Sequence, residues 1–350
     1  MGMTVSTSDN QSEAVWIPSA RWRAAARSLI PLAALVLLLA ISTVIERTSK
    51  GTSYFLTAGN LMQVMRAQAP VGIIAVGMTL VIVGGGIDLS VGSMVAMAAV
   101  CGVYVMNLIR GDVLAISAAV GVMVVIGVCA GFVNGSLVAW GRVAPFIATL
   151  GGLAAYRSVA RTVFDGTVLF THDRSLAPFH NGGIPIPFTH LQRGPAVFFW
   201  PSAVFIGVAA AGWIILNKTR FGRHLVAVGG NERAAAYSAI PVNRVKVASY
   251  VLAGLCCGIA AMLNAASVDS VSSGEVGVLN ELDAIAAVVV GGTLIAGGSG
   301  TMFGTVIGVL ILGTVDNMMV MLSVPNTWQG MVKGAIIVGA AVVQQFGKRK

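Results

Sequence analysis

Ten apolar stretches, each close to the length of a bilayer-crossing helix, recur along this chain with short polar breaks between them. They cover residues 29–45, 61–83, 92–108, 113–140, 145–163, 197–216, 247–266, 283–297, 302–322 and 328–346. About 20 apolar residues carry an α-helix across the ~30 Å hydrocarbon layer of a membrane. No strand-like alternation runs through these stretches, and lipid admits only helices or closed barrels. The expected fold is all-α: a polytopic membrane bundle of about ten transmembrane helices, with broken or re-entrant segments.

Composition excludes the main alternatives. Of 350 residues, 56% are hydrophobic and 10% charged, where soluble domains carry about 25% charged residues. Neither a soluble enzyme nor a disordered chain fits that balance. The net charge of +9 is no nucleic-acid signature, because the basic residues sit at the ends of apolar runs and form no patch. Their distribution orients the bundle instead. With the N-terminus inside, the inner segments hold Arg21, Arg23, Arg27, Arg142, Lys218, Arg220, Arg223, Arg233, Arg244, Lys246 and the closing Lys348-Arg349-Lys350. The outer loops hold only Arg47, Lys50, Arg110, Arg174 and Arg193. Both termini are expected on the cytoplasmic side. Residues 1–28 read as a disordered cytoplasmic tail, 29–346 as a transmembrane domain, and 217–246 as its largest cytoplasmic loop. A basic flank before a long apolar run predicts a retained first span, not a signal peptide.

Chemistry-bearing motifs are scarce. Cys101, Cys129, Cys256 and Cys257 lie in apolar runs without a C-x-x-C pair and read as small packing residues. His172, His180, His190 and His224 are expected in loops and lack metal-ligand spacing. Phosphate-binding glycine loops, H-E-x-x-H and catalytic triads cannot be found. The sequence therefore predicts no catalytic residue, no metal and no ATP hydrolysis by this chain.

The informative places are where the membrane pattern breaks. Gly84-Gly85-Gly86-Ile87-Asp88-Leu89-Ser90 interrupts an apolar run. Three glycines let the backbone leave the helix, and Asp88 or Ser90 can cap the helix that follows. Irregular backbone at membrane depth survives only when buried in protein or lining a cavity, so Gly85, Gly86, Asp88 and Ser90 are candidates for broken-helix structure or a substrate pathway. Asn134 and Thr149 are polar groups inside spans and join them as candidates; interhelical hydrogen bonding is their default role. A second glycine cluster, Gly291-Gly292 and Gly297-Gly298, follows Val288-Val289-Val290 much as Gly84 follows Val81-Ile82-Val83, a weak sign of internal repetition. Glu281 and Asp283 read as helix N-terminal charges, with a gate or outer docking role as the alternative. Arg157, Arg161 and Asp165 share a helix face and suggest snorkelling with a local ion pair, and Lys333 reads as snorkelling.

The cytoplasmic loop holds a helix signal. Gly229-Gly230 breaks the chain, Asn231 is an N-cap type, Glu232 suits a first turn, and Ala234-Ala235-Ala236 propagates it before Pro241. A helix of two to three turns over 231–240 is expected, suited to docking a soluble partner.

Four stretches occur together: Gly85-Gly86-Ile87-Asp88-Leu89-Ser90-Val91-Gly92-Ser93, Pro145-Phe146-Ile147-Ala148-Thr149-Leu150-Gly151, Thr219-Arg220-Phe221-Gly222-Arg223 with Gly229-Gly230-Asn231-Glu232-Arg233-Ala234-Ala235, and Leu282-Asp283-Ala284-Ile285-Ala286-Ala287-Val288-Val289-Val290-Gly291-Gly292-Thr293. In this order they resemble the ribose-type permease family of bacterial ATP-binding-cassette (ABC) importers, over about residues 54–345. The resemblance implies a bacterial inner-membrane subunit working as a pair, most simply a homodimer. A cytoplasmic ATPase binding ATP and Mg would power it, and an extracytoplasmic sugar-binding protein would deliver a monosaccharide. It also implies that 231–240 is the coupling helix, with Asn231, Glu232, Ala234, Ala235, Tyr237 and Ser238 meeting the ATPase. The family often has Ser-Gly-Ile where this chain has Ser238-Ala239-Ile240. Rival readings are an ABC permease for branched-chain amino acids or another small polar solute, and an ion-coupled secondary transporter. The second is disfavoured by scarce intramembrane charge, chiefly Asp88 and Asp316. A membrane enzyme would want paired acids or His-rich clusters in the spans.

Overall fold

The computed structural model of the chain describes residues 20–51, 54–162, 168–171, 176–191, 194–267 and 270–347. In chain order it forms α1 (Ala20–Lys50), α2 (Ala58–Val83), α3 (Val91–Leu108), α4 (Asp112–Ala139), α5 (Pro145–Thr162), β1 (Val168–Phe170), α6 (Ala177–Asn181), β2 (Gly183–Leu191), β3 (Gly194–Phe199), α7 (Trp200–Lys218), α8 (Arg220–Gly230), α9 (Glu232–Tyr237), α10 (Val242–Ser267), β4 (Ser270–Ser272), α11 (Asn280–Val290), α12 (Met302–Met321) and α13 (Asn326–Gly347). Of the expected N-terminal tail, residues 20–28 belong to α1, and residues 1–19 lie outside the described part.

Among the described residues, seven helices are long and apolar enough to cross a membrane: α1, α2, α3, α4, α7, α10 and α12. Three of the ten sequence stretches fall outside that set. The α5 helix carries Thr149, Arg157 and Arg161 within 18 residues. The α13 helix carries Asn326, Gln329 and Lys333. The third, α11, has 11 residues, about 16 Å at 1.5 Å per residue, and so covers half a bilayer at most. The stretch 283–297 is not a continuous span, because Gly292 takes φ +89° and ends the helix.

The centre of the bundle is α2, α3, α10 and α12, all mostly buried, while α1, α4 and α7 turn most of their surface outward. One buried cluster runs through the middle, with Ile73, Met78, Met94, Val95, Cys257, Leu263 and Val288 among its members. Helix α1 is added at the side through Leu35 against Ile307 and Ile311 of α12. The densest contact joins α4 and α10. Gly127, Gly131 and Gly135 recur every four residues and so share one face of α4. A Cβ on Gly127 would collide with the Gly254 carbonyl, one on Gly131 with the Tyr250 carbonyl, and one on Gly258 would lie 2.6 Å from the Met123 carbonyl. The two backbones therefore touch, antiparallel, through a seam of small residues. Membrane helices associate this way because lipid supplies no hydrophobic drive between them.

The bundle is not purely helical. In the segment between α5 and α7, β2 pairs antiparallel with β3, from Gly183 opposite Phe199 to Leu191 opposite Gly194, with an irregularity between Pro185 and His190. Strand β1 pairs with β4, which follows α10. Pro185, Pro187 and Pro195 cannot donate to a ladder, which confines these strands to a small edge-type hairpin. It is fastened to α2: Arg66 donates to Asn181 Oδ1 at 3.2 Å, and its guanidinium lies 4.3 Å from the Phe199 ring centre. The histidines are accordingly not all in loops. His180 is in α6, His190 in β2 and His224 in α8; His172 lies outside the described residues.

Candidate functional site

Helices α2 and α11 end in the same way. Gly84 and Gly291 are the caps, Gly85 (φ +84°) and Gly292 (φ +89°) turn left-handed, and paired bonds close each end. They run from Gly85 N–H to the Ile82 carbonyl and Gly86 N–H to Val81, both 2.9 Å, and from Gly292 N–H to Val289 at 2.9 Å and Thr293 N–H to Val288 at 3.1 Å. Glycine suits the left-handed position because it has no Cβ to clash. The similarity read between the two glycine clusters is thus one of geometry as well as composition.

After Gly86 the chain folds into a buried polar junction. Asp88, Ser90, Asn134 and Thr149 are all fully buried. Asp88 Oδ1 accepts from the Ser90 amide at 2.9 Å and the Ser90 hydroxyl at 2.6 Å. Asn134 Nδ2 donates to Ser90 Oγ at 2.7 Å. Tyr156 of α5 donates to Asn134 Oδ1 at 2.9 Å. Tyr250 of α10 donates to the Ile87 carbonyl at 3.3 Å, and Thr149 Oγ1 donates to the Pro145 carbonyl at 2.9 Å and lies 3.4 Å from the Ile87 carbonyl. Gly86 leaves room for the tyrosine, since a Cβ there would sit 2.6 Å from the Tyr250 hydroxyl. The junction ties the α2–α3 break to α4, α5 and α10. The capping expectation is corrected in detail: Asp88 closes a local turn on Ser90 and does not reach the first-turn amides of α3, and the Ser90 side chain makes no cap bond. Sequence reasoning found Asp88, Ser90, Asn134 and Thr149 but missed Tyr156 and Tyr250. An aromatic inside an apolar run reads as core; its hydroxyl was the available signal, because a buried phenol needs a partner.

The break is followed by a second close contact. A Cβ on Gly92, in the first turn of α3, would collide with the Gly277 carbonyl and the Glu281 carboxylate. Glu281 and Asp283 do lie in the first turn of α11. Asp283 is not a free surface charge, however: Lys333 Nζ stands 3.1 Å from its Oδ2 and 3.2 Å from Asp316 Oδ2. Gln68 donates to Asp316 Oδ2 at 3.1 Å. Lys333 therefore does not snorkel; it joins α11, α12 and α13, and Gln68 adds α2. Arg157 donates to the Val276 carbonyl at 2.7 Å, holding the segment before α11. Its expected partner Asp165 lies outside the described residues.

At one end of the bundle the loop 217–246 forms two helices, α8 and α9. Asn231 is the N-cap of α9, accepting from the Ala234 amide at 3.0 Å. Glu232 pairs with Lys246 of α10 at 2.7 Å. Helix α9 has six residues, shorter than the two to three turns expected, because Ala239 turns left-handed at φ +57° and the Ile240 amide closes back on the Ala235 carbonyl at 3.1 Å. Pro241 opens α10 instead of closing α9: its carbonyl accepts from the Val245 amide. Tyr237 is 90% exposed, and Asn231, Glu232, Ala234 and Ser238 are exposed with it. Ala235 is buried against the main core and offers no surface, which removes it from the expected docking face.

A bundle of apolar helices with interrupted backbone, a buried polar junction at the interruption and a short exposed helix at one end is the architecture of a membrane permease. The chain belongs to the family described as the permease component of the branched-chain amino acid transport system, whose pattern covers residues 60–341. It is 37% identical over 325 residues to the ribose import permease protein RbsC of Escherichia coli (strain K12), covering 92% of this chain and 94% of that one. It is 37% identical over 304 residues to the ribose import permease protein RbsC of Bacillus subtilis (strain 168), covering 83% and 86%. It is 32% identical over 350 residues to the xylose transport system permease protein XylH of Escherichia coli (strain K12), covering 85% and 87%. No solved structure matches the chain. This protein is a multi-pass membrane permease.

Proposed function

We propose that the chain is the membrane-spanning subunit of an ABC importer for a monosaccharide, ribose or a simple sugar like it. The observation that carries this is the likeness to a ribose import permease over nearly the whole of both chains. The family description points to branched-chain amino acids and supplies the second reading. The sugar reading is favoured because ribose and xylose permeases match the chain along most of its length.

In this reading a separate ATPase binds ATP and Mg, and this chain supplies no nucleotide site. An extracytoplasmic sugar-binding protein delivers the sugar, and a second copy of the chain completes the pathway. The termini and the α8–α9 end face the cytoplasm, in keeping with the basic residues there; α5, α11 and α13 complete the expected ten segments without each being an uninterrupted apolar span. Asn231, Glu232, Ala234, Tyr237 and Ser238 form the face that meets the ATPase. The junction at Asp88, Ser90, Asn134 and Thr149 holds the broken helix in shape, with Gly85 and Gly86 as its turn. Glu281 and Asp283 set the start of α11 and gate the pathway by position. Transport is alternating access, in which packed elements switch between two arrangements.

The test is purification of the tagged chain in mild detergent with mass spectrometry of what accompanies it, followed by uptake of labelled ribose and labelled leucine into vesicles. Recovery of an ATPase and ATP-dependent ribose uptake is the expected result. Leucine uptake in place of ribose selects the second reading, and uptake by the chain alone without ATP overturns both.

A further inference from the structure

Three glycine pairs from distant parts of the chain meet at the α8–α9 end. They are Gly84-Gly85 after α2, Gly229-Gly230 in the last turn of α8, and Gly297-Gly298 between α11 and α12. Against expectation, Gly229-Gly230 is helical and does not break the chain; the break falls at Asn231. A Cβ on Gly229 would collide with the Val83 carbonyl oxygen and lie 2.7 Å from the Gly298 nitrogen. One on Gly297 would lie 2.8 Å from the Gly229 carbonyl and 2.9 Å from Gly85 Cα. One on Gly298 would lie 2.7 Å from Gly230 Cα. The Gly298 amide donates to the Val83 carbonyl at 2.9 Å. At Gly85, Gly229, Gly297 and Gly298 every close neighbour is a main-chain atom, which cannot change rotamer to absorb a displacement. Asn231, the cap of α9, is two residues from Gly229.

We infer that Gly229 is a positioning residue for transport: it links the exposed helix α9 to the end of the broken helix α2 and to the α11–α12 connection. The inference rests on the reading that α9 docks an ATPase. A push on α9 then reaches the Asp88 turn and the α11–α12 connection together, as one body. Close-packed interfaces switch between discrete arrangements and do not deform smoothly. A side chain at Gly229 separates the three backbones and lets α9 move without them. The neighbouring Gly230 is the internal control, because a Cβ there meets nothing within 4 Å.

The experiment uses the tagged full chain with the ATPase and binding protein it recovers, reconstituted in liposomes. ATP hydrolysis and labelled ribose uptake are both measured. Gly229→Ala is expected to keep ATPase recovery and hydrolysis while ribose moved per ATP falls on the order of tenfold, within the usual range of coupling free energies. Gly230→Ala is expected to match the unaltered chain. A purely structural role would lower protein yield and leave ribose per ATP unchanged, and that result overturns the inference. An unaltered chain that recovers no ATPase removes the functional reading and this inference with it. A coupled wild type alongside a fully coupled Gly229→Ala removes the inference alone. Should Gly229→Ala fail to fold, amide exchange on the unaltered complex decides. Protection of the Gly298 amide that holds equally with and without ATP supports one rigid body; loss of that protection in either state overturns it.

Discussion

A single hydroxyl joins Asp88 to Asn134: Ser90 Oγ donates to Asp88 Oδ1 at 2.6 Å and accepts from Asn134 Nδ2 at 2.7 Å. Ser90→Ala removes both bonds and strands the buried Asn134 Nδ2 donor, while Asp88 Oδ1 keeps the Ser90 amide. An unsatisfied buried polar group costs about 1–3 kcal/mol, so a clear fall in melting temperature in detergent is expected. Asp88→Leu should be at least as severe. Asp88→Asn should be milder, because Oδ2 has no hydrogen-bond partner among the described residues and the amide can keep its oxygen toward Ser90. Equal melting for all three would show that the junction does not hold the break.

Ala239 holds a left-handed backbone at φ +57° where it closes α9. That conformation costs a residue with a Cβ about 1–2 kcal/mol. Ala239→Gly is therefore expected to raise the stability of the 231–241 segment by about 1 kcal/mol, net of the extra freedom glycine gains in the unfolded chain. Slower amide exchange at Ser238–Ile240 is the readout.

Tyr237 stands almost fully out of the protein. Tyr237→Ala should leave melting unchanged and weaken ATPase recovery, by 2 kcal/mol or so if it anchors the interface. Glu232→Lys should act similarly. It also breaks the Lys246 pair, but Glu232 is more than half exposed, and exposed pairs contribute about 0–1 kcal/mol at most.

Lys333 sits between Asp283 and Asp316. Lys333→Met strands two carboxylates among packed helices and should destabilise the bundle strongly. Stranding a charge in a fully buried pair costs about 3–5 kcal/mol, and the remaining solvent access here places the loss below that. Adding Asp283→Asn and Asp316→Asn to Lys333→Met should restore part of the stability. No recovery in the triple variant would show that packing, not charge, is what Lys333 supplies.

His180 is held below its ordinary value of 6.5, first by burial and then by the Arg66 charge. A histidine with a lowered folded value adds no penalty above about pH 6.5. Below that, the unfolded segment takes up a proton more readily than the folded one, and stability is lost as pH falls through the folded value. Amide protection factors over 176–191, which remove the intrinsic slowing of exchange at lower pH, should fall from pH 7.5 to 5.5, and His180→Gln should flatten the dependence.

Much of the bundle was legible in the sequence, and the failures have physical causes. The stretches 92–108 and 302–322 match α3 and α12 within a residue or so at each end, because apolar length is what a membrane selects. The stretch 283–297 misled because glycine does not interrupt hydropathy: Gly291 and Gly292 look apolar while their backbone ends α11. The β2–β3 hairpin was hidden because proline and glycine in 183–199 read as loop, and short edge pairing needs no alternation. At the junction, polar atoms inside spans were visible at once, whereas Tyr156 and Tyr250 were masked by their rings. The α4–α10 seam was present in the four-residue spacing of Gly127, Gly131 and Gly135 but went unread among 43 glycines.

That seam also fixes what kind of change the chain can accept over time. On the outward faces of α4 and α7 one apolar residue can replace another, because lipid conforms to whatever shape it meets. At Gly127, Gly131, Gly254 and Gly258 the neighbour is a main-chain atom of the opposite helix, which cannot step aside and cannot mutate. Substitution there fails for every side chain regardless of its chemistry, and no second mutation across the contact can compensate. The two helices are thus committed to each other by size alone, and drift is confined to the rest of the bundle.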